Sequence, residues 1–131
     1  MKILITGSNG LLGQKIVKLC LKYGIQFLAT SKGENRNPDC PSQNYFNLDI
    51  TNKLEINAVF NAFYPTKVIH TAAITNVDHC EEDQELCVDV NINATKYLFD
   101  ASQRFFAQFV FLSTDFVFDG EKGSYIETDK V

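Results

Sequence analysis

No run of five or more basic residues occurs in the chain, and the net charge over its 131 residues is −4. Binding a phosphate backbone needs clustered Lys and Arg, so nucleic acid is not an expected partner. Long apolar runs are missing too. Met1-Lys2 passes straight into Ile3-Leu4-Ile5, a stretch too short for a signal-peptide core or a membrane span. The expected location is therefore cytoplasmic, with no membrane partner. Cys20, Cys40, Cys80 and Cys87 contain no CxxC pair, which points away from a zinc site, and in a cytosolic chain all four are expected to stay reduced. Cys20 falls on an apolar helical face and reads as core. No internal repeat and no linker appears, so residues 1–131 read as one domain, long enough to bury roughly two-thirds of its unfolded surface.

What is present is an alternation of two periodicities. Lys2 to Thr6 is a short, β-branched, apolar run that ends at a glycine, as a buried parallel strand does. Gly10 to Tyr23 switches to helical spacing, with Leu12, Ile16, Leu19 and Tyr23 on one face and Gly24 behind it as the terminator. Further strands are expected at Ile25–Thr30, Tyr45–Leu48, Lys67–His70 and Gln108–Leu112, with a loop over 31–43. Thr51 is the expected cap of a second helix that carries Leu54, Ala58 and Phe63 inward and stops before Pro65. Leu86, Val90, Ala94, Leu98 and Ala101 recur at helical spacing, predicting one long helix from about Glu82 to Phe105. The acidic group Glu81-Glu82-Asp83 suits its N-terminus. Strands alternating with helices through right-handed crossovers build an α/β, doubly wound parallel sheet of expected order 3-2-1-4-5. Its ligand crevice lies at the carboxyl ends of strands 1 and 4.

Gly7-Ser8-Asn9-Gly10-Leu11-Leu12-Gly13 falls at that crevice, with G-x-x-G-x-x-G spacing between the first strand and the first helix. Gly7 permits a tight turn, Gly10 lets the backbone approach a pyrophosphate, and Gly13 lets the helix pack closely on the strand. The backbone N–H groups of Asn9, Leu11 and Leu12 and the helix dipole would face the phosphates. A dinucleotide cofactor is the expected ligand. The second strand ends in Ala29-Thr30-Ser31-Lys32, without a carboxylate to hold a ribose 2′-OH. Ser31 and Lys32 favour the 2′-phosphate of NADP, with NAD as the other possibility.

The glycine loop resembles that of the extended short-chain dehydrogenase/reductases. Two further segments narrow the likeness. His70-Thr71-Ala72-Ala73-Ile74-Thr75-Asn76-Val77-Asp78-His79-Cys80-Glu81 is similar to the AA-x-T-x-VD-x-x-E segment of dTDP-4-dehydrorhamnose reductases. Ser113-Thr114-Asp115-Phe116-Val117-Phe118-Asp119-Gly120 is similar to their STDYVFDG, and Tyr125 to Asp129 to the Y-x-E-x-D behind it. The likeness runs over nearly the whole chain.

The resemblance implies a Rossmann-like fold and reduction of a 4-keto nucleotide sugar with hydride from NAD(P)H. By position, Asp49 and Ile50 match the pair beside the adenine, although Asp49 could instead only cap the following helix. Ala72 and Ala73 match the small residues beside the nicotinamide-side ribose and phosphates. Asn91, in Asn91-Ile92-Asn93-Ala94-Thr95, matches the helical Asn that supports the family's active site. Thr114 matches the hydroxyl of the Ser/Thr-Tyr-Lys catalytic set, which hydrogen-bonds the substrate carbonyl. Asp115 would help orient substrate, and Phe116 stands where many relatives carry tyrosine.

The other two members of that set are missing. Tyr23, Tyr45, Tyr64, Tyr97 and Tyr125 all lack a lysine at the fourth following position. The chain therefore reads as a truncated NAD(P)-binding portion without the C-terminal substrate region. Without its general acid it should transfer hydride very slowly at best. The nucleotide sugar is the implied partner in a full-length protein, and a homodimer is a further possibility. Two rival readings stand beside the reductase: a sugar-nucleotide epimerase or dehydratase, and a non-catalytic regulatory subunit of the methionine adenosyltransferase β type.

Overall fold

The computed structural model describes residues 1–114 and 117–130. Five parallel strands form its sheet: β1 (Lys2–Thr6), β2 (Gln26–Ser31), β3 (Tyr45–Asn47), β4 (Lys67–His70) and β5 (Gln108–Phe111). Their order is β3-β2-β1-β4-β5, as expected for a doubly wound, Rossmann-like α/β fold. Register is continuous across the centre, with Thr6 opposite Thr30 on one side and His70 on the other. The carboxyl ends of β1, β2 and β4 therefore lie level, and the crevice opens there.

One face of the sheet carries helix α1 (Leu11–Lys22), which buries Gly13, Val17 and Cys20 against Ile3, Ile5, Phe27 and Ala29. Cys20 is core, as expected. Of the apolar stripe read from the sequence, Leu12, Leu19 and Tyr23 are exposed and Ile16 is half-buried. The sheet takes the adjacent stripe because Gly13 permits the closest approach there.

The opposite face carries α2 (Lys53–Phe63) and α5 (Ala94–Arg104). They bury Ile56, Val59, Phe60, Leu98 and Ala101 over Leu4 and Val68. The inward face of α2 differs from the expected one: Leu54 is 79% exposed and Ala58 is exposed, while Phe63 is half-buried in the cluster. The cap differs as well. Asn52, not Thr51, accepts from the Leu54 and Glu55 amides. Thr51 instead donates its amide and hydroxyl to Asp49 Oδ1, and so starts the turn one residue earlier. The helix stops at Tyr64 in the left-handed region (φ 51°), ahead of Pro65 as predicted.

The single long helix expected from Glu82 is three pieces and a turn. Short α3 (Val77–Glu82) and α4 (Gln84–Val88) meet at Asp83, and a π-helical turn over Asp89–Asn93 leads into α5. Asp83 has φ −136° and ψ 77°, outside the helical region, and its carboxylate accepts from the Leu86 amide to start α4. Periodicity runs through such a corner because a π turn shifts the phase of a helix without breaking it. The acidic group is thus split, with Glu81 and Glu82 closing α3 and Asp83 capping α4. The expectation that all four cysteines stay reduced fails here: Cys80 and Cys87 form a disulfide across this corner, with Cα atoms 5.4 Å apart. Cys20 and Cys40 are free and buried. Sequence spacing alone could not reveal the pair, because the corner that brings it together was unforeseen.

Candidate functional site: a dinucleotide cleft

At the carboxyl ends of β1, β2 and β4 lies a cleft of about 390 Å³. The glycine loop forms its floor. Gly7 has φ +76°, and a Cβ there would fall 2.6 Å from the Ala72 amide nitrogen, so loop and β4 exit touch backbone to backbone. Thr71 locks this contact, donating its amide (3.1 Å) and its hydroxyl (2.7 Å) to Thr6 O. Gly13 turns away from the cleft, and a Cβ on it would collide with Gly7 O and sit 2.6 Å from Ser8 Cα. Gly10 differs from both. It has ordinary dihedrals (φ −77°, ψ 165°), and a Cβ would meet nothing closer than Gly7 O at 3.3 Å. The protein itself therefore tolerates a side chain at Gly10, and what glycine keeps clear there is the cleft.

Gly10 is also the N-cap of α1, with no side-chain cap and no acidic residue in the first turn. Most helix starts are closed by Ser, Thr, Asp or Asn oxygen atoms. Here the first-turn N–H groups and the positive end of the dipole are left for an external acceptor, an arrangement suited to phosphate.

Hydrogen bonds hold the wall beyond β2. Asn9 donates its amide to Ser31 Oγ (3.0 Å) and its side chain to Glu34 O (2.9 Å), while its Oδ1 accepts from the Arg36 amide (2.9 Å). Asn9 thereby pins loop 34–36 over the glycine loop and sets Arg36 on the cleft. Lys32 and Asp49 form an ion pair at 2.6 Å on the same wall. Burial alone pushes the Asp49 carboxyl up, but hydrogen bonds from Lys32 and Thr51 outweigh it and hold the group below the ordinary aspartate range. Asp49 is thus a fixed anion that takes up much of the Lys32 charge. No ion pair to the Arg36 guanidinium is found among the described residues.

Of the residues singled out from sequence, Gly7, Asn9, Gly10, Ser31, Lys32, Asp49, Ile50, Ala72 and Ala73 line this one cleft. Leu11 and Leu12 are exposed at the start of α1, outside the lining, and Gly13 packs the helix on the loop. Asn91 is also off the lining. Its amide clamps the chain after β4, accepting from Ile74 N and donating to Ile74 O, both at 2.9 Å. Thr114 is exposed beyond the carboxyl end of β5, its carbonyl accepting from the Val117 amide at 3.2 Å. Asp115 and Phe116 lie outside the described residues. Sequence reasoning missed Arg36, Thr71, Ile74, Leu86 and Val90, which also line or lock the cleft. Only the basic character of Arg36, five residues past β2, offered a signal. The rest are placed by the corner at Asp83 and the π turn.

The family model described as "RmlD substrate binding domain" matches residues 1–131. A dTDP-4-dehydrorhamnose reductase of Aggregatibacter actinomycetemcomitans is 36% identical over 98% of this chain and 40% of its own length. Among solved structures, a dTDP-4-dehydrorhamnose reductase of Clostridium acetobutylicum superposes with a TM-score of 0.83 at 41% identity, covering 100% of this chain and 42% of that one. A Bacillus anthracis dTDP-4-dehydrorhamnose reductase in complex with NADP gives 0.76 at 29% identity, covering 93% and 39%. The chain thus spans about two-fifths of the length of these relatives. By the match over all of its residues, together with its glycine loop and sheet order, this chain belongs to the RmlD substrate-binding-domain family.

Proposed function

We propose that the chain is the cofactor-binding part of an NADP-dependent sugar-nucleotide reductase, of the type that reduces a 4-keto nucleotide sugar. The observation that carries this reading is the convergence of four strand ends and an uncapped, glycine-lined helix start on one cleft. Such a cleft suits a dinucleotide, with the pyrophosphate over Gly7, Gly10 and the first turn of α1. The nicotinamide cofactor supplies hydride when bound. The protein's own residues bind it, orient it and hold charge around it.

Asp49 and Ile50 would flank the adenine, where the fixed carboxylate can accept from an exocyclic amino group. Ala72 and Ala73 leave room for the second ribose. Arg36 is the better candidate for a ribose 2′-phosphate than Lys32, whose charge is already shared with Asp49. Thr114 would donate to the substrate carbonyl. No Tyr-x-x-x-Lys pair occurs in the sequence, so a general acid of that kind has to come from outside these 131 residues, and the chain alone binds without turning over. The names of the Aggregatibacter and Bacillus relatives support the reductase reading and the choice of NADP.

Titration with NADPH and NADH tests it. NADPH is expected to bind tighter, and Arg36→Ala to weaken NADPH roughly tenfold, the size of one charge-assisted contact, while changing NADH less than about twofold. Equal losses for the two cofactors would remove Arg36 from the 2′-phosphate, and tighter NADH binding would overturn the NADP assignment.

A further inference from the structure

We infer that Cys80 and Cys87 form a reversible dithiol–disulfide pair whose state sets how tightly the nicotinamide-side wall of the cleft is held. This inference rests on the cofactor reading above for its ligand, and on independent geometry for its mechanism. The two Cα atoms lie 5.4 Å apart, inside the range a disulfide requires. Both residues are half-buried, within reach of a small thiol or disulfide in solution. Cys20 and Cys40 are buried, and burial pushes both thiols up, which disfavours the reactive thiolate.

The bridge crosses the corner at Asp83, where helical hydrogen bonding is interrupted. It sits on the one clamp that fixes the chain after β4. Cys87 Sγ lies 3.6 Å from Asn91 Nδ2, and Cys80 Sγ lies 4.0 Å from Ile74 O. Asn91 in turn holds both backbone groups of Ile74. Ile74, Leu86 and Val90 line the cleft beside Ala72 and Ala73. The sulfurs and the wall thus share Asn91. With the bond closed, α3 is tied to α4 and the clamp is braced from both sides. With it open, α3 is six residues long and, between α3 and α4, the described hydrogen bonds at the corner are those of Asp83. An isolated helix of that length is not stable in water.

The chemistry is thiol–disulfide exchange with a low-molecular-weight disulfide such as oxidised glutathione. One cysteine thiolate attacks a glutathione sulfur, forming a mixed disulfide and releasing one glutathione thiolate. The second cysteine thiolate attacks the protein sulfur of that mixed disulfide and releases the other. The cysteine pair loses two electrons and two protons, and both pass to two molecules of reduced glutathione.

The 131-residue chain is equilibrated with oxidised or reduced glutathione, alkylated for a thiol count by mass, and followed by hydrogen exchange and NADPH titration. Oxidation should protect two thiols, slow exchange over residues 74–91, and tighten NADPH about tenfold. C80S should abolish all three responses while binding NADPH like the reduced chain. Four alkylatable thiols after oxidised glutathione, or NADPH affinities within twofold in the two states, would overturn the inference. If neither state binds NADPH, the cofactor reading falls instead. Alkylation and exchange then still decide the pair, and unchanged exchange counts against it.

Discussion

Gly10→Ala should lose NADPH affinity roughly a hundredfold, about 3 kcal/mol, while unfolding within about 1 kcal/mol of the parent. Gly13→Ala should do the reverse. At Gly10 the backbone is already in a region open to any residue, and the added methyl meets only Gly7 O at 3.3 Å. As a helix cap, alanine is worse than glycine by roughly 1 kcal/mol. Lower unfolded-state entropy returns about 0.4–1 kcal/mol, so the two effects nearly cancel. The same methyl would project into the space assigned to the pyrophosphate, where no compensating shift is open to a helix start fixed by the Gln14 amide bond to Gly10 O at 2.9 Å. At Gly13 the methyl would strike Gly7 O and the Ser8 backbone. Only a shift of α1 away from the sheet relieves that, and overpacking of this kind costs about 1–3 kcal/mol or more. Urea unfolding and cofactor titration of the two variants separate the roles. Equal affinity for parent and Gly10→Ala would place the phosphates elsewhere.

The second large effect concerns His70, which is 1% exposed. Its Nδ1 is 2.6 Å from Thr6 Oγ1, and its Nε2 is 3.0 Å from Thr95 Oγ1. The Thr95 hydroxyl gives its proton to Asn91 O at 2.8 Å, so it can only accept from the ring. That assigns Nε2–H to a neutral imidazole, with the Thr6 hydroxyl donating to Nδ1. Phe111 stacks on the ring at 5.7 Å. Burial lowers the His70 pKa from 6.5 to about 4. Because the folded value lies below the unfolded one, the unfolded chain binds more protons between them. The stability this residue confers is complete above about pH 6.5 and is lost as the pH falls towards 4. At 1.36 kcal/mol per pH unit the loss is about 3 kcal/mol. His70→Gln should start less stable at neutral pH but lose about 3 kcal/mol less than the parent between pH 7 and pH 4 in urea unfolding. Parallel pH profiles for the two would show that His70 titrates normally and that the network is not closed.

Sheet order and the glycine loop were legible because both rest on local rules: strand periodicity, a glycine spacing, and the handedness of crossovers. Inward faces were less so. Leu54 and Leu19 are apolar at helical spacing yet exposed, because the closest approach of α1 is set by Gly13, and the phase of α2 by a cap at Asn52. The cleft wall after β4 was the least legible part. Ile74, Leu86 and Val90 reach it only through the corner at Asp83 and the π turn, and the Cys80–Cys87 pairing depends on the same corner. Among the described residues no helix is long and apolar enough to cross a membrane, in keeping with the short apolar runs of the sequence. His70 was read as the end of a strand. Its double contact with Thr6 and Thr95 joins residues far apart in the chain and had no local signal.

The central claim is that a dinucleotide lies in the cleft between β1 and β4, and amide NMR of the 131-residue chain titrated with NADPH tests it most directly. Saturable shifts are predicted for Gly7, Gly10, Leu11, Leu12, Arg36, Asp49 and Ala72, with the Phe99 and Phe109 face of α5 and β5 unmoved. Absence of saturation at millimolar NADPH, or shifts confined to that aromatic face, would contradict it.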